Sequence, residues 1–89
     1  MEKQTKERAM HRARIIAGQV RGLEDCIKRE KYCIDIIHQS LAIREALSSL
    51  ENLMLENHVK THVAEQIRAG KKEKAAKEIV SVYRLAKRK

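Results

Sequence analysis

Three side chains of this 89-residue chain have the types and spacing of metal ligands: Cys33, His58 and His62. The two histidines are four residues apart, and on a helix this spacing lets two imidazoles bind one ion. A thiolate combined with imidazoles suits a d¹⁰ ion such as Cu(I) or Zn(II). The residue types therefore indicate a metal site, although helices also often carry histidine pairs at this spacing on their solvent-exposed surfaces.

The helix that carries these residues decides whether one chain can assemble the site. At about 100° per residue, the three side chains point off one face of a continuous helix. Along the axis, however, Cys33 and His58 are about 37 Å apart. Two copies packed antiparallel about a two-fold axis place the start of one helix beside the end of the other. The spacing therefore predicts a site shared between subunits, with Cys33 from one chain and His58 and His62 from its partner.

The composition predicts that this helix belongs to an all-α protein. The chain has no Pro, Trp or Phe and only three Gly, which excludes a turn-rich β fold. Apolar residues at helical spacing predict a first helix from about Ala9, a long central helix over residues 33–68 ending at Ala69-Gly70, and a short third helix over residues 71–89. We expect one domain, 1–89, with a flexible start over residues 1–9. A chain this short buries little surface alone, so it should form oligomers.

The charge balance indicates a polyanionic partner. The formal net charge is +8, and 36% of the residues are charged, which points to nucleic acid or an acidic membrane surface. Arg12, Arg14 and Arg21 are concentrated in the first predicted helix, where they would contact phosphates, and Lys60 is a further candidate. The alternative is a solvated basic surface. No helix-turn-helix pattern is present, so sequence recognition would depend on an unusual surface or on DNA shape.

Several other classes of protein do not match the sequence. No run of about 18 apolar residues is present, so we expect no membrane-spanning segment, and the polar N-terminus does not resemble a signal peptide. The two cysteines do not form the pattern of a secreted disulfide framework, so a reduced, cytoplasmic protein is expected. No carboxylate on the ligand face could act as a general base, so we predict neither an enzyme nor a small organic substrate.

A set of motifs occurs in a specific order along nearly the whole chain. They are Arg12-Ala13-Arg14-Ile15-Ile16-Ala17-Gly18-Gln19-Val20-Arg21-Gly22, Tyr32-Cys33-x-Asp35, Gln39, Ala42, Arg44-x-Ala46-Leu47 and His58-x-x-x-His62. In order and spacing they closely resemble the copper-sensitive operon repressor family (CsoR/RcnR). The resemblance implies a three-helix protomer with one long central helix, an antiparallel dimer forming a four-helix bundle, and a homotetramer made of two such dimers. It also implies operator DNA binding by the apo-protein and release when an inducer binds.

The resemblance also implies roles for individual residues. The inducer site of the family maps onto Cys33 of one chain and onto His58 and His62 of its partner. Tyr32 and Glu78 match positions that support the ligands in the copper sensors, which favours Cu(I). Copper sensors commonly have Cys where this chain has His62, so Zn(II), Ni(II) and Co(II) remain alternatives.

Other sensor types on the same scaffold differ from this chain at particular positions. Nickel and cobalt sensors add a histidine at the extreme N-terminus, and this chain has none before His11. Formaldehyde sensors share Cys33 and His58 but use an N-terminal Pro, and this chain has no Pro. A last alternative is an architectural DNA-binding protein with an incidental metal site. The sequence assigns no role in sensing to His11, His38 or Cys26.

Overall fold

The computed structural model describes residues 1–87, and most of them are helical. Helix α1 spans Lys3–Lys28, α2 spans Cys33–His58, a π-helix spans Val59–Val63, α3 spans Ala64–Arg68 and α4 spans Lys72–Lys87. Residues 1–87 contain no strand. The prediction of an all-α protomer with three helical stretches, the central one long, is therefore confirmed. Residues 88 and 89 of the predicted third helix lie outside the described residues. No helix within residues 1–87 is both long and apolar enough to cross a membrane.

Helix α1 begins six residues earlier than the sequence predicted. It starts at Lys3 rather than near Ala9, so residues 3–9 are helical and do not form an irregular arm. The segment is polar, but Lys, Gln, Glu, Arg and Ala all have high helix propensity. Thr5 is buried, which shows that this first part of the helix also takes part in packing.

Two helices end in turns of the same kind, and only one of the turns contains glycine. After α3, Gly70 has a φ of 78°, and the N–H of Lys71 donates to the carbonyl of Gln66. After α1, Glu30 has a φ of 51°, and the N–H of Lys31 donates to the carbonyl of Cys26. Both are Schellman turns. The stop at Gly70 agrees with the prediction, whereas the left-handed conformation of Glu30 gave no signal in the sequence.

The chain divides into two compact units, Met1–Glu56 and Asn57–Lys89. In the first unit, α1 and α2 bury Ile16, Ile43 and Leu53. In the second unit, Val63 and Ala75 are buried, and α4 lies against α3. The turn at Gly70 reverses the chain between those two helices.

A glutamine side chain joins the two helices of the first unit. The amide of Gln39 on α2 donates to the carbonyl oxygen of Gln19 on α1 at 3.4 Å, and the thiol of Cys26 lies 3.4 Å from its amide oxygen. A Cβ added at Gly22 would lie 2.7 Å from the Gln39 Nε2. Gly22 therefore allows this side chain to pass close to the backbone of α1.

Helix α2 carries more apolar surface than the first unit covers. Ile34, Ile37, Leu41 and Leu47 are 40–52% exposed. Among the described residues, no large side chain is fully buried. A surface helix of a monomer needs only one apolar stripe, so this wide apolar surface agrees with the expectation that α2 contacts further neighbours.

Candidate metal centre

The two predicted histidine ligands lie side by side in the second unit. His58 is the last residue of α2 and His62 lies in the π-helix that follows. Their ring centroids are 5.2 Å apart and the ring planes differ by 38°. In a tetrahedral site the distance from the metal ion to each imidazole nitrogen is about 2.0–2.1 Å, so the ion lies about 3.2 Å from each ring centroid. At the tetrahedral angle, two such rings have their centroids about 5 Å apart. The observed spacing therefore fits two imidazoles on one metal ion.

The helix between the two histidines is not the uniform α-helix that the sequence predicted. Residues Val59–Val63 form a π-helix, in which the hydrogen bonds run from residue i to i+5 and the rotation per residue is smaller. The count of about 100° per residue therefore holds only as far as His58. Short π-helices of this kind occur frequently at functional sites.

The carboxylate of Glu78 on α4 forms a hydrogen bond with the ring of His58. The Nε2 of His58 is 2.9 Å from a carboxylate oxygen of Glu78. The amide of Gln66 donates to both oxygens of the same carboxylate at 3.3 and 3.4 Å. The hydrogen bond from His58 and, to a smaller extent, those from Gln66 lower the pKa of Glu78 below its usual value of 4.5. Because Nε2 faces Glu78, Nδ1 is the His58 nitrogen left to bind a metal.

Cys33 provides an accessible sulfur at the start of α2. It is exposed and carries a free thiol, and the preceding Tyr32 is also exposed. Within residues 1–87, no three histidine, cysteine or carboxylate side chains of a single chain come together as a metal site.

The predicted DNA-binding arginines fall into two groups in the structure. Arg12 points towards α2, where its Nη1 donates to the backbone oxygen and the hydroxyl of Ser49 at 2.9 and 2.8 Å. Arg14 and Arg21 are exposed. At about 100° per residue, both lie on the opposite face of α1 from Arg12. Lys60, the remaining candidate, is an exposed residue of the π-helix in the second unit.

The basic face of α1 includes lysines that the sequence analysis missed. Because α1 begins at Lys3, that lysine lies in line with Arg14, Arg21 and Lys28, within about 40° around the helix. Lys3, Lys6 and Arg14 also line one shallow groove of about 330 Å³. We call Lys3, Lys6, Arg14, Arg21 and Lys28 the outer basic stripe. The sequence did not indicate Lys3 and Lys6 because it predicted a helix only from about Ala9. An irregular segment before that point would not hold its side chains on a fixed face.

The remaining candidates lie apart from the histidine pair. Cys26 is half-buried and faces Gln39, as expected for a packed small side chain. His11 and His38 are exposed.

Comparison with known proteins identifies the family of this chain. A sequence profile described as "metal-sensitive transcriptional repressor" matches residues 5–84. The chain belongs to this family of metal-sensitive transcriptional repressors. The family is one of transcriptional regulators.

Several members of the repressor family are similar to this chain over most of its length. The copper-sensing transcriptional repressor CsoR of Bacillus subtilis is 33% identical over 79 residues, which cover 89% of this chain and 78% of the relative. RicR, a copper-sensing transcriptional repressor of Mycobacterium tuberculosis, is 36% identical over 67 residues, 75% of this chain and 70% of the relative. The crystal structure of the copper-sensing repressor CsoR with Cu(I) from Geobacillus thermodenitrificans matches with a TM-score of 0.89 and 36% identity. That match covers 96% of this chain and 88% of the other.

Proposed function

We propose that this protein is a copper-responsive transcriptional repressor that binds operator DNA as the apo-protein and releases it when Cu(I) binds. The observation that carries the proposal is the pair of imidazoles spaced for one ion in a chain similar to copper-sensing repressors. A repressor acts where its operator DNA is, so we assign this one to the cytoplasm, with no enzymatic activity.

The metal site would be formed by two chains. Cys33 of one copy and His58 and His62 of a second copy would hold the ion, as the resemblance to the copper sensors implies. One thiolate and two imidazoles suit Cu(I), and a bound ion would tie the two chains together. Support for the proposed site comes from the exposed Cys33 thiol and from the spacing of the His58 and His62 rings.

The apolar surface that one protomer leaves exposed supports a proposed assembly of several chains. Ile34, Ile37, Leu41 and Leu47 of α2 are uncovered in the first unit. Patches of this kind in soluble proteins mark interaction sites. We propose that two α2 helices pack antiparallel over this surface to form a four-helix bundle, and that two such dimers form a tetramer.

Glu78 connects the metal site to α4. It accepts a hydrogen bond from His58 and is held by Gln66 of α3. Groups of this type orient ligands and tune their affinity for the metal. We propose that Glu78, together with Tyr32, transmits the position of His58 to α4, so that the metal-bound protein has a lower affinity for DNA. By linkage, DNA then weakens metal binding by the same factor.

The DNA surface is the outer basic stripe of α1. Its five cations extend over about 37 Å of helix, close to one turn of B-DNA. Phosphate contacts of this kind supply affinity and fix the orientation of the protein on the duplex. Arg12 and Lys60 remain candidates for further contacts.

The proposal is tested by anaerobic titration of the apo-protein with Cu(I), Zn(II), Ni(II) or Co(II) in the presence of a fluorescent fragment of its own promoter. The anisotropy of the fragment reports DNA binding. We expect about one Cu(I) per chain to release the DNA, and Cys33→Ala to abolish release while leaving apo-protein binding unchanged. Release by another metal would reassign the inducer. DNA that stays bound with every metal would refute metal sensing and favour an architectural protein or a non-metal inducer such as formaldehyde.

A further inference from the structure

The π-helix places an unusual turn between the two proposed imidazole ligands, and one threonine lies at its centre. Residues Val59–Val63 form this π-helix, which begins directly after His58 and contains His62. The hydroxyl of Thr61 donates to the carbonyl oxygen of Asn57 at 2.7 Å. Asn57 is buried, so its carbonyl has little access to water and needs a donor from the protein.

A hydroxyl bonded to a carbonyl four residues earlier changes the path of a helix. Such bonds from Ser and Thr side chains bend helices and compete with the regular backbone ladder. In a π-helix the backbone hydrogen bonds join residue i to residue i+5 in place of i+4. Where the pattern changes, a carbonyl at the start of the π-helix can be left without its usual backbone N–H donor. The Thr61 hydroxyl supplies a donor to the carbonyl of Asn57, two residues before the π-helix begins.

The position of His62 relative to His58 depends on this turn. The two rings are 5.2 Å apart, as two imidazoles on one ion require. Glu78 fixes His58 by its own hydrogen bond, whereas His62 is exposed and is held mainly by the backbone that carries it. A change in the turn would therefore move His62 more than His58.

We propose that Thr61 is a positioning residue of the metal site, whose hydroxyl bond to Asn57 stabilises the π-helix and so sets His62 beside His58. The proposal rests on the metal site of the proposed function. The Thr61 hydroxyl is committed to the carbonyl of Asn57 and is not one of the proposed ligands, so its effect on the site would be exerted through the position of His62.

The test compares Thr61→Val, which removes the hydroxyl and keeps the shape, with Thr61→Ser, which keeps the hydroxyl. Thr5→Val is the matched control, because Thr5 is a buried threonine of α1 in the other unit. Cu(I) affinity is measured anaerobically by competition with a chromogenic chelator, and X-ray absorption counts the nitrogen ligands. We expect Thr61→Val to weaken Cu(I) binding about 10- to 100-fold and to remove one nitrogen ligand. Thr61→Ser and Thr5→Val should behave as the wild-type protein does.

Two further measurements separate a positioning role from a general loss of structure. In the apo-protein, NMR contacts between the His58 and His62 rings should disappear in Thr61→Val and remain in Thr61→Ser. In a His62→Ala background, Thr61→Val should cause no additional loss of Cu(I) affinity. Wild-type affinity and a complete ligand set in Thr61→Val would overturn the proposal. A wild-type protein whose Cu(I) affinity is unchanged by His62→Ala would instead refute the metal site itself.

Discussion

The two groups of arginines on α1 should differ in their effect on DNA binding. Arg14 and Arg21 belong to the outer basic stripe, whereas Arg12 donates to Ser49 on α2. Each phosphate contact contributes about 0.9 to the slope of log K against log salt concentration. If one dimer of the proposed tetramer faces the DNA, each of its two chains loses one phosphate contact, and Arg14→Gln should therefore reduce the magnitude of the slope by about 1.8. Between 50 mM and 200 mM salt, the wild-type protein would then lose about tenfold more affinity than the variant.

The assay is anisotropy of an operator fragment at several salt concentrations, with the apo-protein in each case. Arg21→Gln should match Arg14→Gln, and a double Lys3→Gln, Lys6→Gln variant should also reduce the slope. Arg12→Gln is the matched control on the same helix. It should change the slope less and should lower the free energy of unfolding by about 1 kcal/mol, because its hydrogen bonds to Ser49 are lost.

Two outcomes would refute this reasoning. If Arg12→Gln reduces the slope as much as Arg14→Gln, the hydrogen bonds to Ser49 do not keep Arg12 from the phosphates. If Arg14→Gln and Arg21→Gln both leave the slope unchanged, the outer basic stripe is not the DNA surface.

Three further predictions concern the metal site and the helix ends. The His62→Cys variant should still release DNA when Cu(I) is added and should respond less to Ni(II) and Co(II), because a second thiolate ligand favours Cu(I), the softer ion. Titration of the variant with each metal in the presence of the operator fragment measures the release. The pKa of Glu78 is lowered, chiefly by its hydrogen bond with His58. The ionised carboxylate therefore stabilises the fold fully above about pH 4.5, and this stabilisation is lost as the pH falls through the lowered pKa. Acid titration of the helical circular dichroism should therefore show a stability difference from Glu78→Gln that disappears in acid, and a difference that persists there would contradict the assignment. Glu30→Gly should raise the free energy of unfolding by about 1 kcal/mol in urea, because glycine adopts a positive φ without a steric penalty; an unchanged or lower stability would show that the turn is not strained.

Much of the fold follows from local sequence patterns. Helical spacing of apolar residues depends only on neighbours along the chain, so it predicted the three helical stretches and the stop at Gly70. The motif from Arg12 to Gly22 and the pair His58 and His62 also identified the family, which the comparisons confirm. The helix start at Lys3 was missed because polar residues there carry no apolar period, although their helix propensity is high.

The tertiary structure decided which partners the polar side chains have. Arg12 and Ser49 are 37 residues apart, and His58 and Glu78 are 20 apart, so spacing along one helix could not predict either contact. The π-helix between His58 and His62 depends on competition among hydrogen bonds that helix propensity does not describe. The sequence by itself predicted the candidate metal ligands and the helices that carry them. The folded chain determined how His58 and His62 are oriented and which arginines of α1 are exposed, because packing distributes the donors and acceptors.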